Sequence, residues 1–151
     1  MKIRIVTLSK GPERDLVSLE EDYRKRLSRS CPVEFVEIKR GDLKSGRSFV
    51  RDWEKVKEKT GKSFLILLDE RGKSFTSQTL AFQMERWLEG GRDISFVIGG
   101  PEGFPENMKA EADMMLSLSS LTFPHKIVRL ILIEALYRAD DIRKGGPYHR
   151  E

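Results

Sequence analysis

Two five-residue runs, Phe64-Leu65-Ile66-Leu67-Leu68 and Ile94-Ser95-Phe96-Val97-Ile98, constrain the fold most. The first is apolar without alternation, as expected of a strand buried on both faces, and the second is strand-like. A strand covered on both faces needs a layer of structure on each side of its sheet. The intervening segments offer that cover, because their apolar residues recur at helical spacing. Strands alternating with helices predict an α/β fold with a mostly parallel sheet flanked by helices.

The remaining elements follow in order. Lys2 to Leu8 alternates and is β-branched, so it reads as a strand that Gly11-Pro12 breaks. From Glu13 to Ser30, Leu16, Leu19, Tyr23 and Leu27 form one helical stripe, with acid-first pairs Glu20/Arg24, Glu21/Lys25 and Asp22/Arg26 on the surface. Cys31-Pro32 ends that helix and Val33 to Ile38 alternates as a second strand. A polar Lys39–Gly46 loop leads to a helix over Arg47–Thr60, with Phe49, Trp53 and Val56 inward and Gly61 as its C-terminal cap. Thr76 or Ser77 caps a helix running to Glu89, closed by Gly90-Gly91. Pro105 starts a short helix through Asp113, and Met115 to Ser119 is a further strand. His125 to Ala139 is apolar on every side of a helical wheel. A sheet covers one face of such a helix, so a partner subunit is the expected cover for another.

Three strands end in loops of unusual composition: Asp69-Glu70-Arg71-Gly72-Lys73, Gly99-Gly100-Pro101-Glu102-Gly103, and Ser120-Leu121-Thr122-Phe123-Pro124-His125. Ligands of open α/β sheets bind outside the carboxyl ends of the strands, so three such loops at one edge would make one pocket. The glycine loop is neither G-x-G-x-x-G nor a phosphate loop, and serves either as a close backbone approach to a ligand or as a tight turn. Asp69 and Glu70 offer acid, base or metal-ligand chemistry, or form a solvated turn. Ser117, Ser119, Ser120 and Thr122 lack a G-x-S-x-G elbow and read as hydrogen-bond partners of a ligand rather than nucleophiles. His125 either caps the apolar helix or takes part in chemistry. The two histidines, His125 and His149, lie in no ligand-spaced cluster, so no metal is expected.

At 151 residues the chain is expected to be a single domain, residues 1–151. A net charge of +4 and a pI near 9.2 suit a nucleic-acid partner without demanding one. The positive charge gathers in a tail, Arg143, Lys144, Tyr148, His149 and Arg150, whose cations and rings suit phosphate and bases. Cys31 is the single cysteine, so no internal disulfide forms and a reducing cytoplasmic setting is the simple reading. Residues 1–10 lack the apolar core of a signal peptide, and no run approaches a membrane span.

Leu68 to Lys73, Ile98 to Gly103, Ser117 to His125, Glu134 to Ala139 and Pro147 to Arg150 together resemble the RlmH family of ribosomal RNA large-subunit methyltransferases, of the SPOUT class. The resemblance covers nearly the whole chain, in order and at matching spacing; the Lys39–Gly46 loop and the helix after it match least. It implies S-adenosylmethionine as methyl donor, a C-terminal trefoil knot and a homodimer with its pocket at the interface. The implied substrate is N3 of a pseudouridine in the helix 69 loop of 23S ribosomal RNA, in the ribosome or large subunit. It implies a cofactor site of Leu68, Gly100, Ser119, Ser120, Leu121, Thr122, Phe123 and Pro124. N3–H is a weak acid, so a base or positive field helps it ionise. His125, Arg138 and His149 are the candidates, with roles unassigned. A related enzyme with another RNA target and a non-catalytic RNA-binding module are the competing expectations.

Overall fold

The computed structural model describes residues 1–9, 14–41, 46–100 and 103–150, with side chains left out at 46–49. The expected Gly11-Pro12 break, most of the Lys39–Gly46 loop, the inward side chain of Phe49, and Pro101-Glu102 lie outside the described residues. The elements are β1 (Ile3–Ser9), α1 (Val17–Leu27), β2 (Val33–Lys39), α2 (Gly46–Thr60), β3 (Phe64–Ser74), α3 (Ser77–Glu89), β4 (Ile94–Ile98), α4 (Glu106–Glu111), β5 (Met114–Ser117), a 3-10 turn (His125–Ile127) and α5 (Val128–Arg143). The five strands form one sheet in the order β2-β1-β4-β3-β5, with every pairing parallel.

The period-2 geometry of the strands explains the two runs that lack alternation. In β4, Ile94, Phe96 and Ile98 enter a core with Leu27 of α1, Met84 and Trp87 of α3, and Leu132 and Leu136 of α5. Val97 enters the opposite core with Trp53 and Val56 of α2 and Phe104 and Met108 around α4. β3 divides likewise, Ile66 to the first core and Leu65 and Leu67 to the second. Burying each such side chain contributes about 1.5–3 kcal/mol. Thr76 caps α3 reciprocally with Thr79, and Gly61 closes α2 at φ +55°.

Three expectations are corrected. The stretch Asp69–Lys73 is not a loop after β3 but part of the strand. Leu68 and Lys73 both pair with Leu116, so residues between them bulge out of register before β3 rejoins β5. The α1 stripe runs through Glu20 rather than Leu19, which is 52% exposed. Glu20 is buried because Arg129 of α5 reaches it at 2.6 Å; Arg129 also bonds Glu37 of β2 and stacks over Phe35. Burial pushes the Glu20 carboxyl up and the Arg129 guanidinium opposes that rise. Of the expected surface pairs, Asp22–Arg26 forms, while Arg24 turns to Glu21.

The third concerns the cover that one chain gives α5: α1 and α3 share it with the sheet, where the sheet alone was expected. The sheet, α1 and α3 all pack on it, so Leu132, Ile133, Leu136 and Ala139 are buried within one chain. Ile127, Leu130 and Ile131 stay half-buried. Cys31 is buried and its thiol is pushed up by that burial, which keeps it protonated and inert.

The α5 positions therefore separate. Ile133→Lys buries an unpaired charge and should cost on the order of 4–5 kcal/mol, much of a domain's stability. Leu130→Lys should cost about 1 kcal/mol. Urea unfolding of the two variants checks the contrast; equal losses would contradict it.

Candidate active site

The carboxyl ends of β3, β4 and β5 surround a cavity of about 600 Å³. That is within the range that small-molecule sites occupy. The β3 bulge supplies Asp69, Glu70 and Arg71; the turn after β4 supplies Gly99, Gly100 and Gly103; the segment after β5 supplies Leu118, Ser119, Leu121, Thr122, Phe123 and His125. Leu68, Ile98, Leu116 and Val128 add apolar surface, and α4 adds Lys109. The pocket expected at this edge is thus present. Of the eight expected cofactor residues, Leu68, Gly100, Ser119, Leu121, Thr122 and Phe123 line it, while Ser120 and Pro124 are exposed and do not.

Close packing holds the walls. A Cβ on Gly72 would sit 2.6 Å from the Met115 carbonyl carbon and 2.7 Å from the Leu116 nitrogen, so the bulge lies directly on the β5 backbone. A Cβ on Gly99 would meet the Phe104 ring at 2.9 Å, and one on Gly100 would strike the Arg40 guanidinium. The glycines after β4 therefore admit neighbouring side chains as well as any ligand. The hydroxyls at the end of β5 and just after it bond to their own segment and to the β3 bulge. Ser117 Oγ donates to the Ser119 carbonyl, Ser119 Oγ accepts from the Leu121 N–H, and Thr122 Oγ1 donates to Glu70 across the cavity rim. They shape the wall, and each hydroxyl keeps hydrogen-bonding capacity that a ligand could use beside the backbone groups.

The three candidates for proton chemistry do not gather within one chain. His125 lines the cavity as the first residue of the 3-10 turn, directly after its N-cap Pro124. Its Nε2 is buried and has no hydrogen-bond partner among the described residues. Arg138 lies thirteen residues further along the same helical segment, roughly 20 Å away at 1.5 Å per residue. Arg138 bonds Glu134 at 2.7 Å, donates to His149 Nδ1 at 3.1 Å and sits over the Tyr148 ring. The helix expected over His125 to Ala139 already implied this split, since thirteen residues of helix set the two side chains apart.

The tail is folded rather than loose. The Tyr148 N–H donates to Asp141, its hydroxyl donates to Glu134 and lies 3.1 Å from that of Tyr23, and its ring packs edge-on to Tyr137. Burial, with Tyr23 and Glu134 beside it, pushes the Tyr148 hydroxyl far up. Arg143 is committed to Asp140 and Glu85, and Lys144 to Asp140 and Ser30. Arg150 is exposed. Lys109 is one of the cavity residues that sequence reading missed, with Phe104 and Glu106; its signal was a basic residue one turn past Pro105, beside the glycine-rich turn. Among the described residues no group of His, Cys, Asp or Glu could hold a metal ion, and no helix is long and apolar enough to cross a membrane.

Known proteins share this architecture. Residues 1–149 match the family model described as predicted SPOUT methyltransferase. A ribosomal RNA large subunit methyltransferase H of Methylobacillus flagellatus is 41% identical over the full length of both chains. One from Polynucleobacter asymbioticus is 40% identical, again over all of both. Among solved structures, a tRNA (m1G37) methyltransferase from Aquifex aeolicus aligns with all of this chain and 76% of its own at TM-score 0.62. A probable methylase family protein from Haemophilus influenzae aligns with 99% of this chain and 70% of its own at 0.58. At 22% and 8% identity these two speak for the fold alone. With a parallel sheet, a cavity at its carboxyl edge and relatives of this identity along the whole chain, the protein belongs to the SPOUT methyltransferase family, alongside the ribosomal RNA large subunit methyltransferase H proteins.

Proposed function

We propose that the chain is an S-adenosylmethionine-dependent methyltransferase of large-subunit ribosomal RNA, acting at N3 of a pseudouridine in the helix 69 loop of 23S ribosomal RNA. The observation that carries this reading is the cavity at the ends of β3, β4 and β5, in a chain 41% identical over its whole length to a ribosomal RNA large subunit methyltransferase H. The cavity's size and its mixed lining suit the cofactor: leucines and Phe123 for the adenosine, backbone at Gly100 and residues 119–123 for its polar edges, charged groups from the β3 bulge and α4. Ser120 and Pro124 belong to this site as residues that shape the loop.

When bound, the cofactor supplies a methyl group already activated on a sulfonium. The chain's own task is to align the nucleophile and exclude water. Leu116, Leu118 and Phe123 do the excluding. His125, half-buried at the cavity wall, receives the N3 proton of the substrate. Arg138 and His149 serve the same neighbourhood only from a second copy, since their own chain holds them along α5. A homodimer is therefore part of the reading, supported by the half-buried Ile127, Leu130 and Ile131. A C-terminal trefoil knot and a single domain over 1–151 also belong to it. Arg150, with Tyr148 and His149 beside it, supplies RNA contacts, and Arg143 and Lys144 hold the tail's root. A cytoplasmic location follows from such a substrate.

Mass mapping of ribosomal RNA from cells lacking the protein tests the target: loss of one methyl group on a helix 69 pseudouridine is expected, and unchanged RNA would refute it. Gly100→Val should lower S-adenosylmethionine affinity by at least about tenfold, roughly 1.4 kcal/mol. Its clash is with the far end of Arg40, so the fold should survive, as thermal melting will show. Calorimetry with unchanged affinity would remove the turn after β4 from the site.

Deleting 148–151 should leave a dimer by sedimentation and lower methylation of ribosomal particles about a hundredfold, with cofactor affinity within about threefold. A parallel loss of cofactor affinity would make the tail a lid instead. A monomeric wild type at micromolar concentration would refute the dimer.

A further inference from the structure

We propose that Asp69 and Lys109 hold the amino-acid head of the methyl donor, Asp69 taking its α-ammonium and Lys109 its α-carboxylate. This rests on reading the cavity as the donor site. Among the described residues, five charged side chains line the cavity: Asp69, Glu70, Arg71, Glu106 and Lys109. Glu70 and Arg71 are exposed and Glu106 is 88% exposed, whereas Asp69 and Lys109 are 10% and 12% exposed. A shielded charge attracts a ligand charge far more strongly than one screened by water and salt.

The geometry of the pair leaves room for a ligand. Lys109 Nζ stands 3.4 Å from Asp69 Oδ2, longer than the 2.7–2.9 Å of a tight charge-assisted bond. Its second acid, Glu106, is longer still at 3.5 Å. Asp69 Oδ1 accepts the Arg71 N–H at 2.8 Å, which fixes the carboxylate's direction but uses one of its lone pairs. The two side chains come from different elements, the β3 bulge and α4, and face each other at the cavity wall. Side by side, opposite and shielded, they form a dipole complementary to an amino-acid zwitterion. The adenosine has no charge to match them, so they are the part of the lining that recognises the head alone.

Calorimetry on the full chain separates head from adenosine. Wild type should bind both S-adenosylhomocysteine and methylthioadenosine, which lacks the amino-acid head. Lys109→Met and Asp69→Asn should each lower S-adenosylhomocysteine affinity about tenfold and leave methylthioadenosine within about twofold. Asparagine keeps an oxygen for the Arg71 N–H, and retained methylthioadenosine binding itself reports a folded site. Decarboxylated S-adenosylhomocysteine should lose its dependence on Lys109 and keep that on Asp69. A parallel loss of both ligands, or no loss of either, overturns the assignment while leaving the cofactor site in place. Failure of wild type to bind either ligand overturns the cofactor reading and this one together.

Discussion

The structure depends on one backbone contact, that of Gly72 against Met115 and Leu116. A side chain there would have to occupy space already taken by β5 main chain, which cannot swing aside as a side chain can. The contact lets β3 leave its register after Leu68 and rejoin the same partner residue at Lys73. The four residues in between are pushed outward over the sheet's carboxyl edge. They become one wall of the cavity, carrying Asp69 inward and Glu70 to the rim. Without that excursion β3 would end at the sheet's edge and the cavity would lack its charged side.

A buried ion pair orients the opposite wall. Arg129 joins α5 to Glu20 of α1 and Glu37 of β2, with its guanidinium over Phe35. Such a pair need not add much stability over apolar packing, yet breaking it strands a charge at a cost of about 3–5 kcal/mol. Its contribution is therefore directional. Arg129 is four residues after His125, so the pair also fixes how the start of the helical segment presents the imidazole to the cavity.

Much of this was legible in the sequence. The strand Ile94–Ile98 lies where its mostly apolar run placed it, the Thr76 cap begins α3, and the three expected segments do meet at one cavity. What escaped has a common cause: it was decided by tertiary partners. Glu20 reads as surface until Arg129 is beside it. Asp69–Lys73 reads as a loop until β5 accepts Gly72. Parallel strands are implied by alternation with helices, but the order β2-β1-β4-β3-β5 is not. His125, Arg138 and His149 share chemistry; the helix expected over His125–Ala139 already sets the first two apart, and only the folded tail shows that His149 lies with Arg138.

The hydroxyls at the end of β5 and just after it have a consequence for the timing of binding. Ser117, Ser119 and Thr122 already hold their segment in shape through bonds to its own backbone and to Glu70. A ligand entering there need not freeze a wandering loop, so little conformational entropy is lost at the moment of capture. Arrival should then be governed by encounter, and the lifetime of the bound state by how firmly the surrounding walls grip. A small fold with few residues to spare thus keeps its ligand wall assembled in advance, using side chains that need never touch the ligand.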